Sequence, residues 1–143
     1  METSENKYEL VYYKFLGLSH KVEDKVKKAL KPLELTHPQL NVLYLLYHKN
    51  PKVLSPKDIK ESLIVNQPDI TRLMDRLEKK GLVYRETCKE NRRKVDIGIT
   101  EKGKQVFELS HKKGKEAVGN FFSDFLNESE SKTFYKLLNK IKI

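Results

Sequence analysis

A single cysteine, Cys88, stands among 143 residues. It excludes an internal disulfide framework and any metal site built from cysteine alone. Long apolar runs are missing as well. No stretch approaches the ~18 consecutive apolar residues of a membrane span, so no membrane partner is expected. The first six residues, Met1 to Asn6, lack the basic region and apolar run of a signal peptide, and the expected location is cytoplasmic. Catalytic signatures are also missing. There is no nucleophile elbow, no phosphate-cradling glycine loop, no HExxH and no clustered acid pair. No enzyme and no cofactor are expected.

Acidic residues are the minority: 20 Asp and Glu stand against 29 Lys and Arg, a net charge of +9 at pH 7. The excess favours a polyanionic partner over an acidic substrate, though it says nothing about fold. Hydrophobic residues make up 38% and charged residues 34%, which is polar for a globular chain, yet the patterning is too regular for disorder. The length favours one domain over 1–143. A chain this small and polar buries a limited core alone, so self-association is an expectation.

The patterning starts at about Glu5 and runs to Lys31. Tyr8, Val11, Tyr12, Phe15, Leu18, Val22, Val26 and Leu30 recur at spacings of three and four, which predicts one amphipathic helix. Such a helix would be roughly 40 Å long, more than a small domain needs, so part of its apolar stripe should meet something else. Pro32 ends it. Thr36 followed by Gln39 three residues later reads as a capping box before a largely apolar core helix from Pro38 to Tyr47. Ser55 and Pro56 open a short helix to Leu63. Asn66-Gln67-Pro68-Asp69 gives another cap signal, and a helix from there to Lys80 places Ile70, Leu73, Met74 and Leu77 on one face. Gly81 stops it, with Leu82 as the apolar residue that follows a glycine cap. Two short helices joined by about three residues form a helix-turn-helix. The period then changes to two, with Val83 to Thr87 and Val95 to Ile99 predicted as strands around the basic tip 88–94. Thr100 caps a helix carrying Val106, Phe107, Val118, Phe121, Phe122 and Phe125. Asn127 and Glu130 open a last one with Phe134, Leu137, Leu138 and Ile141. The expected fold is mainly α with a small β-wing. A winged helix-turn-helix over 34–100 is flanked by dimerisation helices over 5–31 and 101–143.

The run Asn66 to Arg85 resembles the recognition helix of the MarR family of bacterial transcription regulators, named for multiple antibiotic resistance. Asn91-Arg92-Arg93-Lys94-Val95-Asp96-Ile97-Gly98-Ile99-Thr100 resembles that family's wing, and Leu35-Thr36-x-x-Gln39 and Leu54-Ser55-x-x-Asp58-Ile59 match its second and third helix starts. The order and spacing cover essentially the whole chain. The resemblance implies a homodimer that seats two winged helices on a palindromic double-stranded DNA site. It also implies repression, with release by a small-molecule effector or another signal. One departure stands out: Asn91 occupies the place of the wing aspartate, which in the family can pair with nearby arginines.

From Arg72 to Lys94 there are nine Lys or Arg and four Asp or Glu, more than half of the chain's excess charge. A basic run is often only a solvated face. Here it coincides with caps, helix and wing, and Ser55, Gln67, Pro68, Asp69, Thr71, Arg72, Arg76, Arg92, Arg93 and Lys94 are the DNA-binding candidates. Gln67 suits adenine and Arg72 guanine, each by a bidentate contact. Asp69 either accepts from a cytosine amino group or caps its own helix. Asp75 reads as a salt-bridge partner within the protein. Arg93 at the wing tip suits phosphates or a narrow minor groove. Tyr12, Phe15, His20, His37 and Tyr44 are candidates for an effector cleft, although core packing accounts for each singly. Two other readings compete. One is a winged helix that contacts protein instead of DNA. The other is a redox- or metal-responsive regulator using Cys88 or the histidines. Against the latter, redox members of the family carry their cysteine in the first helix, and the histidines show no local metal spacing.

Overall fold

A computed structural model describes residues 6–63 and 69–143. It divides into two compact units. One holds the residues up to Ala29 together with Gly114–Ile143, and the other is Leu30–Lys113. The fold is mainly helical with one two-stranded antiparallel sheet.

Leu30–Lys113 is the winged helix-turn-helix. Helix α2 (His37–Lys49) begins as the residues dictate: Thr36 accepts from the Gln39 amide, and the Gln39 side chain accepts from the Thr36 amide. Leu40, Val42, Leu43 and Leu46 of α2 are buried, which makes it the central helix of this unit. Helix α3 (Pro56–Ser62) repeats the device, with Ser55 and Asp58 exchanging hydrogen bonds. Helix α4 (Ile70–Lys79) buries Ile70, Met74 and Leu77 and keeps its polar face outward. Its N-cap is Asp69, which accepts from the Arg72 amide, so the helix starts later than the expected cap at Asn66. Residues 64–68, including Asn66, lie outside the described residues.

Gly81 closes α4 at φ 71°, a left-handed turn that costs a residue with a Cβ about 1–2 kcal/mol. Its amide donates to Glu78 and the Leu82 amide reaches back to Leu77, the paired bonds of a Schellman cap. Strands β1 (Val83–Thr87) and β2 (Val95–Ile99) then pair antiparallel, with Val83 opposite Ile99 and Thr87 opposite Val95. Leu54, just before α3, adds a bridge to Ile97 through two backbone hydrogen bonds of 3.0 and 2.7 Å. One residue of pairing has no periodicity, and the sequence reading did not anticipate it.

The other unit is built from most of α1 (Lys7–Leu30), the later part of α5 (Glu101–Ser123) and α6 (Glu128–Leu138). A 3₁₀ turn at Lys31–Leu33 follows α1, with Pro32 inside it. Asn127 and Glu130 form the expected capping box at the start of α6. Ile141 falls beyond the last helix, which ends at Leu138. Phe121 is buried among Phe122 and Phe125, at ring separations of 5.3 and 5.4 Å. On α1 the predicted stripe is real but bare: Tyr8, Val11, Tyr12 and Phe15 are exposed, as are Leu137 on α6 and Ile141 after it.

Candidate DNA interface

The polar face of α4 and the wing belong to the same unit, and the chain fastens them to each other. Arg85 on β1 reaches Asp75 at 2.5 Å and Glu78 at 2.7 Å, both on α4. Asp75 is therefore an internal ion-pair partner, as its position in the sequence suggests. The C-terminal end of α4 is fixed as well. The Thr100 hydroxyl donates to the Gly81 carbonyl at 2.6 Å, and the Lys102 ammonium donates to the Lys80 carbonyl at 2.9 Å. The Thr100 oxygen also accepts from the Gly103 amide and so caps α5. A Cβ added at Gly103 would lie 2.0 Å from the Leu82 carbonyl oxygen, so only glycine lets α5 start this close. At the other side Lys80 donates to the Glu34 carbonyl and to Gln39, which is buried.

The candidate residues take distinct positions on this frame. Thr71, Arg72 and Arg76 are exposed on α4. Asp69 has both roles that a carboxylate can fill at a helix start: one oxygen caps the Arg72 amide at 3.1 Å and the other lies 3.5 Å from the Arg72 guanidinium. Capping, and not a free groove-facing acid, is what the geometry gives Asp69. Ser55 is half-buried and engaged in the α3 capping box. Hydrogen bonds from the Ser55 hydroxyl, and next from its amide, hold the Asp58 carboxyl below the usual aspartate range. Gln67 and Pro68 lie outside the described residues.

At the wing tip Arg92, Arg93 and Lys94 are all exposed. No carboxylate among the described residues pairs with them or with Arg76. Asn91 organises the turn without a charge. Its side-chain oxygen accepts from the Arg93 amide at 3.1 Å, and its backbone carbonyl accepts from Lys94 at 2.9 Å. The local turn thus replaces the ion pair that an aspartate could make here.

Residues 35–95 match the model of the MarR family. The DNA complex of Staphylococcus aureus MepR superposes with a TM-score of 0.79 at 28% identity, covering 95% of this chain and 96% of that one. Apo MarR from Escherichia coli superposes with a TM-score of 0.77 at 25% identity, with the same coverage. An HTH-type transcriptional regulator of Bacillus cereus is 29% identical over 132 residues, which is 92% of this chain and 86% of that protein. The chain belongs to the MarR family. It is a winged helix-turn-helix transcription regulator.

The remaining candidates of this MarR-family protein are dispersed. Tyr12, Phe15 and His20 are exposed on α1. His37 is the first residue of α2. Tyr44 packs against His48 at 4.3 Å, His111 at 5.7 Å and Phe107 at 6.0 Å. His48 and His111, far apart in sequence, thus share one aromatic cluster. Beside it the Tyr47 hydroxyl donates to Glu108 at 2.7 Å, and that bond raises the phenol pKa. Among the described residues no group of three or more His, Cys, Asp or Glu could hold a metal ion. Nor is any described helix long and apolar enough to cross a membrane. Cys88 is half-buried where the wing leaves β1, its amide donating to Lys94 at 2.9 Å. Arg85, Lys102 and Gly103 are the positioning residues that the sequence reading passed over. None has a local partner that spacing could reveal.

Proposed function

We propose that the protein is a repressor that binds a palindromic double-stranded DNA site as a homodimer in the cytoplasm, and that a small-molecule effector releases it. The observation that carries the reading is a basic surface without internal counter-charges. Arg76 on α4 and Arg92, Arg93 and Lys94 on the wing are exposed and unpaired among the described residues. Phosphates supply the missing anions. Thr71 and Arg72, in the first turn of α4, are the base-reading residues, with Gln67 and Pro68 preceding them. Asp69 holds that turn and orients Arg72, and Ser55 contributes at the start of α3. The exposed apolar stripe of α1 supports a homodimer, because a second copy can cover it. The DNA-bound form of MepR, 28% identical, supports the same use of the fold. A dimer seated on a promoter excludes polymerase, which makes repression the natural outcome.

Selection of bound sequences from random duplexes tests the reading. A palindromic consensus, with half-sites about one helical turn apart, is the expected result. Recovery of no consensus would overturn it.

A further inference from the structure

The unit formed by the residues up to Ala29 and Gly114–Ile143 contains a cavity of about 590 Å³. That volume lies within the range of small-molecule sites. Four phenylalanines, Phe121, Phe122, Phe125 and Phe134, make most of its apolar wall, and α1 contributes Lys14, Gly17 and Lys21. None of its lining residues is acidic. No carboxylate among the described residues pairs with Lys14 or Lys21. The two lysines sit two helical turns apart on one face, about 10 Å along the axis, with Gly17 between them. A Cβ added at Gly17 would meet no atom within 4 Å. The glycine therefore leaves space that an ordinary side chain would occupy.

We propose that this cavity binds an organic anion with a flat apolar body. The phenylalanine rings take the body by offset or edge contacts. Lys14 and Lys21 take the anionic group. The charge argues against burial under an apolar face of a second copy, since two ammonium groups without counter-charges are costly to bury. The inference stands apart from DNA recognition and uses none of its residues.

Calorimetric titration of the full chain with 2-naphthoate, and with the neutral 2-naphthylmethanol, tests it. The carboxylate should bind at one site per chain, about tenfold tighter than the alcohol. A Lys14→Gln, Lys21→Gln double variant should lose that preference and still bind the alcohol. Gly17→Phe should bind neither compound and should unfold at the same temperature as the parent or higher. No heat with the parent, equal affinity for acid and alcohol, or full binding by Gly17→Phe would each overturn the proposal. So would conversion of a dimer to a monomer by Gly17→Phe in sedimentation, which would assign the cavity to a second copy. Duplex binding by the parent is measured separately, so failure here leaves the DNA reading standing.

Discussion

Arg85 holds Asp75 at 2.5 Å across the junction of wing and α4, and Glu78 takes the other arm of the same guanidinium at 2.7 Å. The Arg85 side chain is one-third exposed, so water screens the contact only in part. Replacing Arg85 with Met keeps the stem and removes both pairs. Urea denaturation should show a loss of about 1 kcal/mol, near the upper end for partly exposed pairs. A double-mutant cycle with Asp75→Asn should return a coupling of about 0.5–1 kcal/mol. A coupling of zero would reduce the contact to a surface coincidence.

Arg72 and Arg93 should fail differently. Loss of a bidentate base contact removes about 1–3 kcal/mol of discrimination per site. Loss of a phosphate contact weakens all duplexes and lowers the salt slope by about one per contact. Arg72→Ala should relax preference at one symmetric pair of positions. Arg93→Ala should weaken selected and scrambled duplexes alike, with a shallower salt dependence. Titration of both variants across a salt series separates them. An unchanged affinity and slope for Arg93→Ala would make the wing tip a plain solvated turn.

Gly103→Ala should be among the most damaging single-methyl changes in the chain. The added carbon would lie 2.0 Å from the Leu82 carbonyl and 2.8 Å from an Ile99 side-chain carbon. Backbone cannot swing aside as an exposed side chain does, so α5 must shift. Overpacking of this kind costs typically about 1–3 kcal/mol. Thermal unfolding of the variant measures it, with Gly119→Ala as the control because a Cβ there meets nothing within 4 Å.

Asp58 gives a pH signature. Hydrogen bonds from the Ser55 hydroxyl and amide lower its folded pKa below the ordinary value of 3.8. The carboxylate therefore contributes stability above that ordinary value, and the contribution disappears as pH falls through the folded pKa. Asp58→Asn should be less stable than the parent at pH 6, and the two stabilities should converge in strong acid. Denaturant unfolding from pH 6 downward reads the difference. A gap that stays constant with pH would remove the carboxylate's charge from the account.

Caps were the most legible part of the sequence. Thr36, Ser55, Thr100 and Asn127 each stand where the reading placed a helix start, because a cap joins a side chain to an amide three residues on. The change from a period of three or four to a period of two located both strands at their observed bounds. What escaped was long-range. Arg85 to Asp75, Lys102 to Lys80 and Leu54 to Ile97 span 10 or more residues, and no spacing rule announces them. The start of α4 was misplaced because Asn66 and Asp69 are both competent caps, and only the packing of Ile70 selects the second. The exposed basic tip at 92–94 was legible from charge and turn residues. The tie between Asp69 and Arg72 was visible only as one of two alternatives.

The fastening of α4 limits how such a protein can be switched. The same hydroxyl of Thr100 serves the last turn of α4 and the first turn of α5, and Lys102 grips the neighbouring carbonyl. Rolling or sliding α4 would strip α5 of its own cap in the same stroke. The helix and the wing therefore travel as one printing head, with its typeface fixed. A signal that silences the protein has to change where that head is carried, because it cannot cheaply recut the letters.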